Sequence, residues 1–159
     1  MKETITLIER VTEFATNPEV KSENKVSELK RLLVSIYTNY LNIIKEEDSD
    51  KEYNDDFEFS YDELKKNVDE NFPNLNWYIS VWDVHKIEYE KHQTTPKINS
   101  GLGDPIDDIT DILKDLLEVK WRFENNSEKD ALWYFHFLMK HHSEQHLVNL
   151  LKYLKDLES

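Results

Sequence analysis

Asp104-Pro105-Ile106-Asp107-Asp108-Ile109-Thr110-Asp111-Ile112-Leu113-Lys114-Asp115-Leu116 is the stretch from which the rest of the chain can be read. Asp104 and Pro105 stand in the order of a helix cap and first helical residue. The cap side chain accepts a free backbone N–H, and proline at that position gives up no hydrogen bond. Ile106, Ile109, Leu113, Leu116 and Phe123 recur at helical spacing and form one apolar stripe. Asp108, Asp111 and Asp115, at i, i+3 and i+7, share a face beside it. Asn125-Asn126 ends the helix, and Ser127 with Asp130 resembles a capping box with Asp in the place of the usual Glu. A last helix is predicted from about 128 to 156. Its stripe is Phe135, Leu138/Met139, His142, His146, Leu150 and Leu154/Leu157.

A connection this short makes the two helices antiparallel neighbours. Counting outward from residue 126 puts Asp108 and Asp111 level with roughly residues 140–144, within a turn. The acidic face should therefore meet His142 and His146, which the apolar pattern turns inward. Two His at i, i+4 can hold one cation, with carboxylates completing the shell, so His142, His146, Asp108 and Asp111 are the candidate metal ligands. An Asp can instead orient a His that acts as a general base. The structural alternative is simpler: an inward His needs a hydrogen-bond partner, and Asp supplies it. On that alternative, His142→Ala lowers stability by about 1–3 kcal/mol. Ser143 follows His142 where a zinc peptidase would carry Glu. His136 and His141 should point sideways or outward. His85 and His92 lie in or near a stretch of ambiguous structure. Trp121 and Trp133 flank the turn and read as core.

These same residues carry a resemblance. Leu102-Gly103-Asp104-Pro105-Ile106-Asp107-Asp108-Ile109-Thr110-Asp111-Ile112, with Asp115-Leu116 after it, resembles a "DD-x-x-DIY-x-DL" segment of the bacterial family known as domain of unknown function 5063. Trp133-Tyr134-Phe135 through His142-Ser143-Glu144-Gln145-His146 resembles that family's aromatic helix and His-Trp-Gly-x-His motif, with Ser143-Glu144 in place of Trp-Gly. Phe72-Pro73-Asn74-Leu75-Asn76-Trp77-Tyr78 is similar to its Phe-Pro-x-Leu-x-x-Tyr. The resemblance covers most of the chain in outline. It implies a helical bacterial protein and brings no activity, cofactor or substrate.

Upstream, Ile5, Ile8, Val11, Phe14 and Ala15 mark a helix over 3–16 that Asn17-Pro18 ends. Val26, Leu29, Leu32, Leu33, Ile36, Tyr40 and Ile43/Ile44 mark a second, starting near Ser22, whose many large residues at its end suggest a central element. Ser60 caps a short helix bearing Leu64, Val68 and Phe72. Residues 77–85 are rich in strand formers, but no second strong strand exists to pair with them. They are expected as helix or irregular extended structure, and 91–103 as a loop. Residues 46–58 hold eight acids and one Lys and should form a solvated, mobile loop. The Asp48/Asp50 pair lacks the Gly and distal Glu of a calcium loop.

The expected fold is thus all-α: one domain over 1–159, a bundle of four to five helices ending in a long antiparallel hairpin, with a short extended segment near 77–85 as the alternative there. Two Gly and four Pro in 159 residues agree with few tight turns. The nineteen aromatics supply core area that a 38% apolar composition would otherwise lack. The lack of Cys excludes disulfides, thiol nucleophiles and thiolate metal sites. Met1-Lys2-Glu3-Thr4-Ile5 does not read as a signal peptide, and no apolar run suits a membrane span, so a cytoplasmic location is expected. A net charge of −13 repels nucleic acid and anionic lipid, and suits a protein partner with a basic surface. The first functional reading is a non-enzymatic protein-binding module, such as an acidic immunity-type or regulatory protein, with no cofactor. The second is a metal-dependent or acid–base enzyme using Asp108, Asp111, Asp115, His142 and His146. Oligomeric state is not legible.

Overall fold

The computed structural model describes residues 1–44, 52–89, 91–92 and 94–158. It is mostly helical: α1 (Lys2–Thr16), α2 (Lys25–Asn42), α3 (Tyr61–Asn71), four short strands, then α4 (Pro105–Asn125), α5 (Glu128–Leu138) and α6 (Glu144–Leu157). A π turn, Met139–Ser143, joins α5 to α6 into one long C-terminal rod. The local signals hold at three starts: the side chains of Ser60, Asp104 and Ser127 each accept a backbone N–H at the start of α3, α4 and α5. The start of α2, expected near Ser22, is capped instead by Asn24.

Apolar faces of all six helices meet in one core that includes Ile8, Leu33, Val68, Leu113, Phe135 and Leu150. The element at the centre is α4, which packs against α1, α3, α5 and α6. The expectation that α2 would be central does not hold, since α2 packs against α1 and α6. The difference lies in the width of the buried face. Ile106, Ile109, Ile112, Leu113, Leu116 and Val119 are all buried on α4, whereas α2 buries Leu29, Leu32, Leu33 and Ile36 in a narrower stripe.

The π turn follows from the sequence. Phe135, Met139, Ser143 and Leu147 are all buried, in steps of four residues. In an unbroken α-helix three such steps overshoot by about 120°. One extra residue looped out as a π turn removes about 100° of that, so all four stay on the seam against α4. The predicted single α-helix over 128–156 is therefore interrupted, and its predicted inward stripe is displaced. Ser143 and Leu147 face inward, where His142 and His146 were expected, and Leu157 is exposed.

Residues 77–103 depart in part: the extended segment allowed near 77–85 is present, and it has a partner. Tyr78–Val81 (β1) is a strand, paired antiparallel with Ser100–Gly103 (β4) in the register Tyr78↔Gly103 to Val81↔Ser100. Glu88–Tyr89 (β2) pairs with Pro96–Lys97 (β3). The loop expected at 91–103 thus contains two strands. The partner strand was hidden because Ser-Gly-Leu-Gly has little strand preference of its own. Its glycines are what make it a partner. A Cβ on Gly103 would lie 2.3 Å from the Tyr78 ring, and one on Gly101 the same distance from Trp82. The chain spends its two glycines so that aromatic rings can lie on the neighbouring strand.

The calcium candidates Asp48 and Asp50, with the rest of 46–51, lie outside the described residues. The remainder of the acidic segment, 52–58, is docked rather than free. Asp55 accepts a 2.7 Å bond from Arg122, Asn126 donates to the Asn54 carbonyl, and Phe57 packs against Phe59 and Trp121. Arg122 is buried, held also by Glu118 and Asp130, and its guanidinium lies 3.1 Å from the centre of the Tyr134 ring. A buried arginine needs anionic partners, and three of the acids around it supply them. Neither Trp121 nor Trp133 joins the buried core: Trp121 meets Phe57, and Trp133 stacks on Phe137.

Candidate metal centre

Where α4 and α6 run side by side, the seam carries two Asp–His pairs. His142 Nδ1 lies 2.8 Å from Asp115 Oδ2, and His146 Nδ1 lies 2.7 Å from Asp108 Oδ1. Both carboxylates are buried, with Asp115 at 1% and Asp108 at 6% exposure. An ionised carboxylate only accepts, so each Nδ1 carries the proton. In the neutral ring Nε2 is then the bare nitrogen. The two histidines are not sealed in: their side chains are 42% and 29% exposed.

Further donors satisfy the buried carboxylates. Ser143 donates to Asp115 Oδ2 at 2.6 Å, and Lys114 reaches Oδ1 at 3.2 Å. Tyr78 donates to Asp108 Oδ2 at 2.5 Å. Burial, then this bond to Asp108, pushes the Tyr78 phenol far above its ordinary range, so it stays a donor. Asp111, less buried, stands opposite His146 with Oδ2 3.7 Å from Nε2. Burial and the neighbouring Asp111 and Asp107 likewise raise Tyr61. The bond that His146 donates to Asp108, opposed in part by burial, raises His146 above 6.5.

The predicted residues therefore come together, in a division of labour that counting did not supply. Asp108 and Asp115 hold the rings, while Asp111 stands beside the His146 Nε2. One ligand atom each from Asp111, His142 and His146 lies within 4.8 Å of the others. A tetrahedral zinc shell needs separations of about 3.3 Å. The 3.7 Å pair is nearly there, and ion binding requires the wider spacing to close by up to about 1.5 Å.

The counting placed Asp108 near residue 144, and its partner is His146. Helical side chains lean toward their own N-terminus. Across an antiparallel pair this lean offsets the partners in one direction, and the π turn adds a residue. Ser143 was missed as a site residue, although it falls on the four-residue row. Tyr78 was missed too, although it ends the Phe72–Tyr78 motif of the family resemblance. His85 lies in the turn between β1 and β2, His92 in the turn between β2 and β3, and His141 against Phe137. His136 packs on Tyr40, toward α2.

A groove of about 950 Å³ runs between β1 and α6, lined by Tyr78, Ser80, Trp82, Val148, Asn149 and Tyr153 among others. It borders the centre through Tyr78 and Gln145, without including the two histidines.

The fold is similar to the crystal structure of protein BF1032 from Bacteroides fragilis, a structural-genomics target. The TM-score is 0.74 at 17% sequence identity, over 99% of this chain and 91% of that one. At that identity the likeness is one of fold. No family model and no curated protein matches the chain. Among the described residues, no helix is long and apolar enough to cross a membrane.

Proposed function

We propose that this chain is a metal-binding helical protein, with a divalent ion held by Asp111, His142 and His146. One observation carries the reading. Each histidine has its Nδ1 fixed by a buried carboxylate and its Nε2 left to ligate, which is how metal-bound histidines are oriented in general. Asp108 and Asp115 are then the outer carboxylates that set tautomer and angle. Three protein ligands leave coordination positions for water or substrate, the arrangement of a catalytic rather than a purely structural ion. Such an ion lowers the pKa of bound water and polarises a carbonyl or phosphoryl oxygen. The Asp and His motifs that resemble the 5063 family are the ones that build this site.

The test is elemental analysis of untagged protein, with titration of the metal-free form by zinc and manganese. One bound equivalent, lost in His146→Ala, is the expected result. No retained metal, together with melting unchanged on adding either ion, would overturn it.

Protein binding through the acidic surface is the second reading, favoured by the net charge of −13. It expects capture of a basic protein that salt releases.

A further inference from the structure

The strands at 77–103 carry an apolar surface that the helices leave uncovered. Fifteen large apolar residues are exposed among the described residues, and nine of them fall between Trp77 and Leu102. They are not scattered. In the β1–β4 pair, Tyr78 and Ser80 lie on the face toward α6: Tyr78 stacks on Tyr153, and Ser80 is bonded by Asn149. Ile79 and Val81 alternate to the other face, with Leu102 directly across from Ile79. Ile79 is 73% exposed and Leu102 69%. A sheet with one face packed and one in water normally carries polar residues outward. Here the outward face is the apolar one.

Charge indicates what covers it. Between 77 and 103 three acids, Asp83, Glu88 and Glu90, are balanced by Lys86, Lys91 and Lys97. The whole excess of −13 therefore lies elsewhere in the chain. Two identical acidic bodies repel wherever their helical surfaces approach within a Debye length of about 8 Å. They meet without that penalty at this neutral strip. A basic partner would find no counter-charge there, and an anionic membrane would be repelled by the rest of the molecule. A patch that is self-complementary in both charge and chemistry suits a two-fold contact, in which the same residues serve both sides.

We infer that the outer face of the β1–β4 ribbon, centred on Ile79, Val81 and Leu102, is the contact surface between two copies of this chain. Ile79 and Leu102 of one copy pack on the same residues of the other. The ribbon tip, with Val84, Ile87 and Ile98, extends the contact. Tyr78, on the inner face, keeps its bond to Asp108 in the pair, so dimerisation leaves the Asp–His seam intact. This inference stands apart from the metal reading.

Sedimentation velocity on the full chain, from low to high micromolar concentration, tests it. The expected result is a monomer–dimer equilibrium. Ile79→Glu and, separately, Leu102→Glu should raise its dissociation constant about tenfold or more. Because both side chains are outside the core, each variant should keep the wild-type melting temperature and circular dichroism. A wild-type chain that is monomeric throughout would overturn the inference. So would a dimer insensitive to both substitutions, or a monomer that instead co-sediments with neutral phosphatidylcholine vesicles.

Discussion

Two ends of the same helical pairing bury charge in opposite ways. Near the turn, Arg122 of α4 is enclosed by Glu118, Asp130, Asp55 and the Tyr134 ring. A turn or more away, on the same helix, Asp108 and Asp115 are enclosed and their basic partners are not: His142 and His146 sit at the edge, partly in water. At the first place a cation is buried and every nitrogen of its guanidinium donates to a carboxylate. At the second the anions are buried and the rings they hold are partly open to water. Buried charge pairing alone therefore does not mark a site. What distinguishes the two is whether a group of useful chemistry is left over after the buried atoms are satisfied.

The largest effect should come from breaking the closed end. Arg122→Ala leaves Asp130 and Glu118 without their cation, and urea denaturation should show a loss of about 3–5 kcal/mol. A much smaller loss would mean that the acids relax toward solvent and that the end is not closed. Asp115→Ala comes next. It strands the Ser143 hydroxyl and frees His142, for a loss of about 1–3 kcal/mol. It should also weaken zinc binding about 10- to 100-fold in calorimetry, as expected when a carboxylate behind a ligand is removed. Equal metal affinity in this variant would reduce the pair to a structural contact.

His142→Ala should cost less, about 1 kcal/mol, because Ser143 and Lys114 still serve Asp115. It should nonetheless abolish stabilisation by added metal, and thermal melts with and without zinc would separate the two effects. The smallest effect concerns pH. His146 holds its proton more tightly in the folded state than its ordinary 6.5, first through the bond to Asp108. That contribution to stability is complete below about pH 6.5 and is lost as pH rises through the raised folded-state value. Metal-free wild type should therefore gain most over His146→Gln at about pH 6 and least at about pH 9. A gap that does not change with pH would remove the Asp108–His146 pair from the account.

Local chemistry was legible in the sequence. Asp104-Pro105, Ser60 and Ser127 mark helix starts because a cap is decided by the few residues around it. That the Asp and His rows meet was legible as well, since a short turn constrains its flanking helices. Which Asp serves which His was not, because it depends on side-chain lean and on a π turn that only the whole row from Phe135 to Leu147 demands. The β1–β4 ribbon was the least legible. Its second strand is made possible by what Gly101 and Gly103 lack, and the aromatic rings that fill the space lie more than a dozen residues away. Asp55 shows the converse: an acid inside a run that reads as solvated is drawn in by an arginine far along the chain.

The π turn gives the molecule one place where its spacing can change. Removing Lys140 or His141 would leave every ligand and every leucine of α6 present in the sequence. With the extra residue gone the rod closes into an unbroken α-helix, and α6 keeps its rotation relative to α5. Leu147 and Leu150 stay against α4, and His146 stays beside Asp108. A deletion inside α6 itself has no such slack and turns everything after it by about 100°. Along this rod spacing is constrained as strictly as identity everywhere except at the turn.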